Sequence, residues 1–288
     1  MLLSLEINNW NNCIFKPIIC IDISSTNQII HNNNEIIELH GSCFCGKSTI
    51  FKALKYLVSI IVDKKQEFVE SDIRLLFSIN DNIYDYHLKT NVNIIVKEEM
   101  CNVSTSKEII NSNRTKTSLL TSTTYPDIYM WFKNLIFIIP FHNESQLNED
   151  LVPMISDGIL NKYEKYIYPH SECFTEMHYK QTLTNDFLCL SRNRKSRKFC
   201  IKDLSFSLKE LLFWLPTIHD FIYSTDNKVL IVDDIDTIAN GLIKTVLEKE
   251  YIGKTTMATK QLIVSSNKET QNVFLKTASR IVTLSSFI

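Results

Sequence analysis

The sequence predicts an α/β fold: a mixed sheet with an antiparallel β-layer and a partly helical insertion. Three observations predict it. A loop bracketed by glycines, Gly41-Ser42-Cys43-Phe44-Cys45-Gly46-Lys47-Ser48 followed by Thr49, stands between a short β-rich run and a long run with one apolar helical face. An apolar strand, Lys228-Val229-Leu230-Ile231-Val232, ends in Asp233-Asp234. Short β-rich runs parted by Asn-rich turns lead into the glycine loop.

Bulk composition narrows the class without choosing a function. At 288 residues, with 44% hydrophobic and 22% charged, the chain suits a sizeable globular core. With 31 basic against 32 acidic residues, net charge gives no sign of a nucleic-acid partner, and any such contact must be a local patch. No apolar run approaches the roughly 18 to 20 residues that span a bilayer. Met1-Leu2-Leu3-Ser4-Leu5-Glu6 also lacks the charged start of a secretory signal. The expectation is a soluble, cytoplasmic protein with no membrane partner, whose eight cysteines are reduced thiols. His170, Cys173 and His178 could be drawn as zinc ligands, but a fourth ligand is missing and the spacing is unusual.

Taken in order, Leu2 to Ile7, Ile18 to Ile23 and Glu35 to His40 read as short strands separated by turns such as Asn32-Asn33-Asn34, an antiparallel layer feeding into the strand before the glycine loop. Ser48 to about Val62 has no Gly or Pro and reads as a helix. Ile73 to Ile79, Ile83 to Leu88 and Val92 to Val96 form a meander around the turn Asn80-Asp81-Asn82, with one wet face. Asn102 to Thr124, rich in Ser, Thr and Asn, is the best candidate for a mobile insertion. Trp131 to Phe141 is strongly apolar, and Leu151 to Tyr168 has a helical pattern. The dense basic run from Ser191 to Lys198 reads as a solvated face, with nucleic-acid contact through Arg192 to Lys198 as the alternative.

The glycine loop fits G-x-x-x-x-G-K-[ST], the phosphate-binding P-loop, and uses two of only five glycines in the chain. Backbone N–H groups must curl around phosphate oxygens there, and a Cβ would block the turn or the close approach. The pattern assigns the Lys47 ammonium to the β/γ-phosphates and the Ser48 hydroxyl to Mg²⁺, with the phosphate on a helix N-terminus. Cys43 and Cys45 lie inside the loop, where oxidation or alkylation should obstruct nucleotide. Lys228 to Asp234 has the form of a Walker B strand, expected beside the P-loop strand. Asp233 is then the metal carboxylate, and Asp234 stands where a general base polarises the attacking water. Lys260 to Asn267 is a further apolar strand with a polar end. Asn267-Lys268-Glu269-Thr270 is not a guanine motif, because its acidic fourth residue is missing and no D-x-x-G follows Asp233.

The order of β-layer, GSCFCGKST, Leu204-Ser205-Phe206-Ser207-Leu208-Lys209-Glu210-Leu211-Leu212, VLIVDDID and QLIVSSN resembles the ABC-type ATPase heads of the OLD, RecF and SMC-like superfamily. It is most similar to the AAA family ATP-binding proteins of abortive-infection and anti-phage defence. The resemblance spans nearly all of the chain, strongly at the two Walker motifs and after residue 200. It implies one ABC-type ATPase domain over 1–288, with a β-layer and P-loop lobe at 1–100, an insertion or helical lobe at 101–200, and the signature, Walker B and C-terminal strands at 201–288. ATP and Mg²⁺ would be the cofactors, bound by residues 41–49, Ser205 and Asp233.

In that family the heads pair so that the signature serine, matched by Ser205, meets the γ-phosphate held by the other head. ATP glues the heads into a dimer or higher oligomer, and hydrolysis releases them. A separately encoded, nuclease-like effector is the implied partner. Departures are equally visible. Ser207 replaces the signature glycine, Asp234 stands for a catalytic glutamate, and Asn267 stands for the switch histidine. Asn240 lies where relatives often have a histidine after the D-loop with Asp236, and Gln66 is a guess for the Q-loop. These changes keep two alternatives open: a hydrolysis-deficient ATP-binding scaffold, and a RecF- or SMC-type DNA-repair ATPase.

Overall fold

The structure, a computed structural model, describes residues 1–10, 19–22, 34–41, 46–141, 157–167, 176–181, 186–192, 195–200, 203–252, 258–266 and 280–283. Ser42, Cys43, Phe44, Cys45, Asn267, His170 and Cys173 lie outside the described residues. The chain divides into two compact units. The first comprises Met1–Phe137, Thr225–Asp233 and Thr255–Ile288, and the second Ile138–Ser224 and Asp234–Lys254.

The first unit holds the antiparallel layer that the alternating runs predict. Its strands are β1 (Leu2–Trp10), β2 (Ile19–Asp22), β4 (Ser71–Ile79), β5 (Asn82–Asn91), β6 (Ile94–Asn102) and β7 (Lys107–Thr115), arranged β2-β1-β4-β5-β6-β7. Along β4, Ser71, Ile73, Leu75 and Phe77 are buried while the residues between them are more open, the period of two that pins strand register. Asn80 and Asp81 close the β4–β5 hairpin with φ of 46° and 66°, a left-handed pair that Asn and Asp tolerate. Val92, expected within the third strand of the meander, is an exposed turn residue instead.

The expectation of a mobile insertion over Asn102 to Thr124 is overturned. Its middle forms β7, paired antiparallel to β6, with Ile110 buried. Its end is held by the buried carboxylate of Glu98, which accepts hydrogen bonds from Ser118 Oγ at 2.5 Å, the Leu119 N–H at 2.8 Å and the Tyr86 hydroxyl at 2.9 Å. Burial together with that charge pushes the Tyr86 phenol well above its ordinary range. Ser, Thr and Asn composition hid an edge strand whose outer face is polar.

The second sheet of this unit runs β14 (Arg280–Thr283), β3 (Asn34–His40), β13 (Lys260–Ser266), β12 (Lys228–Val232), β8 (Leu135–Ile138). The pairs β12–β13, β13–β3 and β14–β3 are parallel. The strand ending in Asp233 was expected beside the P-loop strand, but β13 lies between them. The reason is legible in β13, where every residue is buried, as befits the middle strand of a parallel sheet. Helix α1 (Lys47–Ile61) packs Ile50, Phe51, Leu54, Leu57 and Ile61 into one core with Leu5, Ile73, Leu75 and Phe77 of the antiparallel sheet and Ile37, Leu39, Val229, Ile231 and Ile263 of the parallel one. Helix α2 (Pro126–Lys133) closes that core, with the Trp131 ring stacked 4.2 Å from Phe77.

The second unit contains the meander β9 (Glu176–Gln181), β10 (Asp186–Arg192), β11 (Lys195–Cys200) and helices α3 (Asp157–Ile167), α4 (Phe206–Tyr223) and α5 (Leu242–Glu250). The described part of the basic run lies on β10 and β11, where Arg192 pairs with Lys195 and Leu190 with Arg197. Among the described residues no helix is long and apolar enough to cross a membrane.

Candidate functional site

Gly41 and Gly46 bracket the candidate phosphate loop. Gly41 follows β3 directly, and Gly46 precedes α1 with φ of 91°, a left-handed conformation that a side chain would strain. The Gly46 carbonyl accepts the Thr49 and Ile50 N–H groups at 3.0 and 3.1 Å, so the helix begins where the loop ends. Buried Lys47 reaches back across the loop, its ammonium donating to the Gly41 carbonyl. Exposed Ser48 and partly exposed Thr49 fill the first turn. That turn carries no acidic residue, so the positive dipole end of a 15-residue helix has no carboxylate of its own first turn to compete with an anion.

Asp233 reaches the same end of the sheet by a different route. In the parallel register Ile231 pairs with Ile263, Ile263 with Ile37 and Ser265 with Leu39. Side chains alternate along strands, so Asp233 and Ser265 share the sheet face of Ile37, Leu39, Ile231 and Ile263, the face that packs with α1. Both are buried, and the Ser265 hydroxyl donates to Asp233 Oδ1 at 2.8 Å. A carboxylate and the Ser48 hydroxyl are hard oxygen donors of the kind Mg²⁺ selects, so these residues fit that ion. On the opposite face buried Glu38 has His40 Nε2 2.8 Å from its Oε1, a close ionic contact without hydrogen-bond geometry.

Asp234, Asp236, Asn240, Ser205 and Ser207 belong to the second unit, whereas Gln66 belongs to the first. Asp234 has φ of 51°, and its carbonyl accepts the Thr237 N–H at 2.9 Å, the Thr237 hydroxyl at 3.1 Å and the Ile238 N–H at 3.3 Å, closing a tight turn. Asp236 is paired with Lys244 at 3.0 Å, and Asn240 is exposed with φ of 53°. Ser205 is exposed at the N-cap of α4, where its carbonyl accepts the Leu208 and Lys209 N–H groups at 3.1 and 3.0 Å. Ser207 lies inside that helix, and Gln66 is exposed in the connection to β4.

No family model and no curated protein matches this sequence. Among solved structures, the SMC head domain from Thermotoga maritima superposes with a TM-score of 0.51 at 12% identity, covering 98% of this chain and 94% of that one. The fold is similar to that of an SMC head. A dimeric bacterial ABC transporter cassette aligns over 99% of this chain and 95% of its own, at 12% identity and a TM-score of 0.35.

Sequence reasoning named Gly41, Gly46, Lys47, Ser48 and Asp233 as candidates and did not name Ser265, the hydrogen-bond partner of Asp233. A signal for it existed. Ser265 ends an apolar run in the same way that Asp233 ends its own, and parallel strands align their carboxyl ends.

Proposed function

We propose that the chain binds ATP with Mg²⁺ and hydrolyses it slowly, as an ABC-type ATPase head. One observation carries the reading: Gly46 and Lys47 open α1 at the carboxyl end of β3, while Asp233 emerges from the same sheet face with a hydroxyl partner. The Lys47 ammonium leaves the Gly41 carbonyl to meet β/γ-phosphate oxygens, and Gly41 to Thr49 wrap the phosphates. Mg²⁺, when bound, would neutralise phosphate charge, held by Ser48 and Asp233. Asp234 orients the attacking water, helped by Asn267. Ser205 meets the γ-phosphate of a second head, so ATP favours a dimer or higher oligomer. A separately encoded, nuclease-like effector and an anti-phage role rest on the family resemblance alone.

Turnover by purified protein with Mg²⁺, beside equilibrium nucleotide binding, tests the reading in wild type, Lys47→Ala and Asp234→Ala. Lys47→Ala should lose turnover by at least about 100-fold, since it removes the main charge aimed at the phosphates. Asp234→Ala should lose turnover while keeping nucleotide. Wild type that binds no ATP sinks the proposal. Tight binding without turnover favours the second reading, an ATP-held scaffold, which is supported by Ser207 inside α4 where the family has glycine and by the shorter Asp234 side chain.

A further inference from the structure

Glu210 lies in the signature segment but has no assigned part in holding phosphate, and among the described residues of the second unit its carboxylate, like that of Glu250, accepts a hydrogen bond on each oxygen. It lies in the second turn of α4 and is buried. Its Oε1 accepts the Phe141 N–H at 3.0 Å and its Oε2 the Ala239 N–H at 2.6 Å, so one side chain holds backbone from two separate segments. Both bonds are charge-assisted, the strong class. Phe141 is held twice over, its ring packing 5.0 Å from Phe213 and 5.6 Å from Trp214 on the same helix.

The segment on the other oxygen is strained. Ala239, Asn240 and Gly241 follow one another with φ of 48°, 53° and 79°. Glycine adopts that conformation freely, whereas alanine has neither the missing Cβ nor an Asn-like side chain to compensate. Such a residue persists only where its surroundings over-determine it. Glu210 supplies that constraint at the first of the three. The same turn begins at Asp234, itself left-handed and bonded through its carbonyl to Thr237 and Ile238.

We infer that Glu210 is a positioning residue that ties the turn from Asp234 to Gly241 to the helix capped by Ser205. One carboxylate thereby links the residue assigned to this head's attacking water to the residue assigned to the γ-phosphate of a second head. The inference rests on the ATPase reading. Because the hydrogen bonds of Glu210 run to Phe141 and Ala239 and not to a described P-loop residue, its loss should show in the chemical step rather than in ATP affinity.

The variant is Glu210→Gln, which keeps shape but offers one acceptor and turns an N–H₂ toward a backbone N–H. Its kcat for ATP should fall about 10- to 100-fold, the effect of a misplaced reacting group, with KM held within about twofold. Backbone amide exchange is followed in parallel. In wild type the Ala239 and Phe141 amides should exchange only with global unfolding, and in Glu210→Gln both should exchange faster. Rapid exchange of these amides in wild type overturns the inference whether or not the variant folds. Equal kcat in variant and wild type overturns it while leaving the ATPase reading intact. Failure of wild type to bind ATP instead defeats that reading, and slow exchange of the two amides would still support the clamp. If wild type binds ATP without turnover, ATP should slow exchange across residues 234–241 in wild type but not in Glu210→Gln, and an equal response in both overturns the inference.

Discussion

At the amino end of the parallel sheet, Gln261 is wholly buried and has no idle polar atom. Its amide N–H₂ donates to the Leu2 carbonyl at 3.0 Å and to Glu35 Oε2 at 2.7 Å, and its Oε1 accepts the Leu2 N–H at 2.8 Å. Beside it, buried Lys260 donates to the Asp226 carbonyl at 2.5 Å. At the carboxyl end the accounting is looser. Among the described residues the Asp233 carboxylate takes a hydrogen bond from Ser265, and the Glu38 carboxylate has only its ionic contact with His40. Buried polar atoms are expensive to leave unpaired, so a closed network marks a joint, and unused acceptor capacity marks a place that receives something. The sheet is fastened at one end and kept available at the other.

Breaking the closed end should cost stability and little else. Gln261→Ala removes three hydrogen bonds among buried groups and opens a cavity, for an expected loss of about 3 to 4 kcal/mol. Chemical denaturation measures the loss, and ATP turnover assayed well below the unfolding midpoint should stay within about twofold of wild type. A large fall in turnover at full folding would erase the distinction between the two ends.

Disturbing the open end should do the reverse. Ser265→Ala takes the hydroxyl from Asp233 Oδ1 and leaves the carboxylate free to rotate. Outer partners of metal-binding groups typically matter by about 10-fold in metal affinity, so the Mg²⁺ concentration that supports half-maximal turnover should rise about 10-fold. The denaturation midpoint should move by no more than the loss of about 1 kcal/mol. A Mg²⁺ requirement unchanged in Ser265→Ala would remove Asp233 from the metal.

These two residues also show what the sequence could and could not disclose. Asp233 was legible because an acidic end on an apolar strand is rare enough to carry meaning, and Gly46 and Lys47 because glycines are scarce here and spaced for phosphate. The strands β1 and β3 were legible as short β-rich runs, β12 and β13 as apolar runs with polar ends, and helix α1 from its one apolar face. Gln261 was not, because its role depends on which strand lies between β3 and β12, and Ser265, though it ends an apolar run as Asp233 does, needed that same strand order to be set beside Asp233. β7 was missed for the opposite reason, its polar composition outweighing two isoleucines at Ile109 and Ile110. Glu210 sits among apolar helix residues with nothing to single it out, since its partners are backbone groups far away in sequence.

The smallest expected effect tests the comparison most closely. Among the described residues Glu38 is fully buried with no hydrogen bond to either oxygen, and its one counter-charge there is a histidine that is positive only when protonated. A buried carboxylate in that setting has given up water without full replacement, a loss that outweighs the attraction of an imperfect ion pair. Replacing it by an apolar side chain of similar volume should therefore be neutral or stabilising, by about 0 to 2 kcal/mol for Glu38→Leu. The change would show as a denaturation midpoint equal to or above that of wild type. Glu38 lies on the face opposite Asp233, so Mg²⁺-dependent turnover should be unchanged if this carboxylate is only a tolerated cost. Stabilisation accompanied by loss of turnover would place Glu38 and His40 among the groups that serve the P-loop, since the protein would then be giving up stability for a carboxylate it uses. A clear loss of stability would show instead that the pair with His40 fastens the sheet as Gln261 does, and the contrast between the two ends would fail.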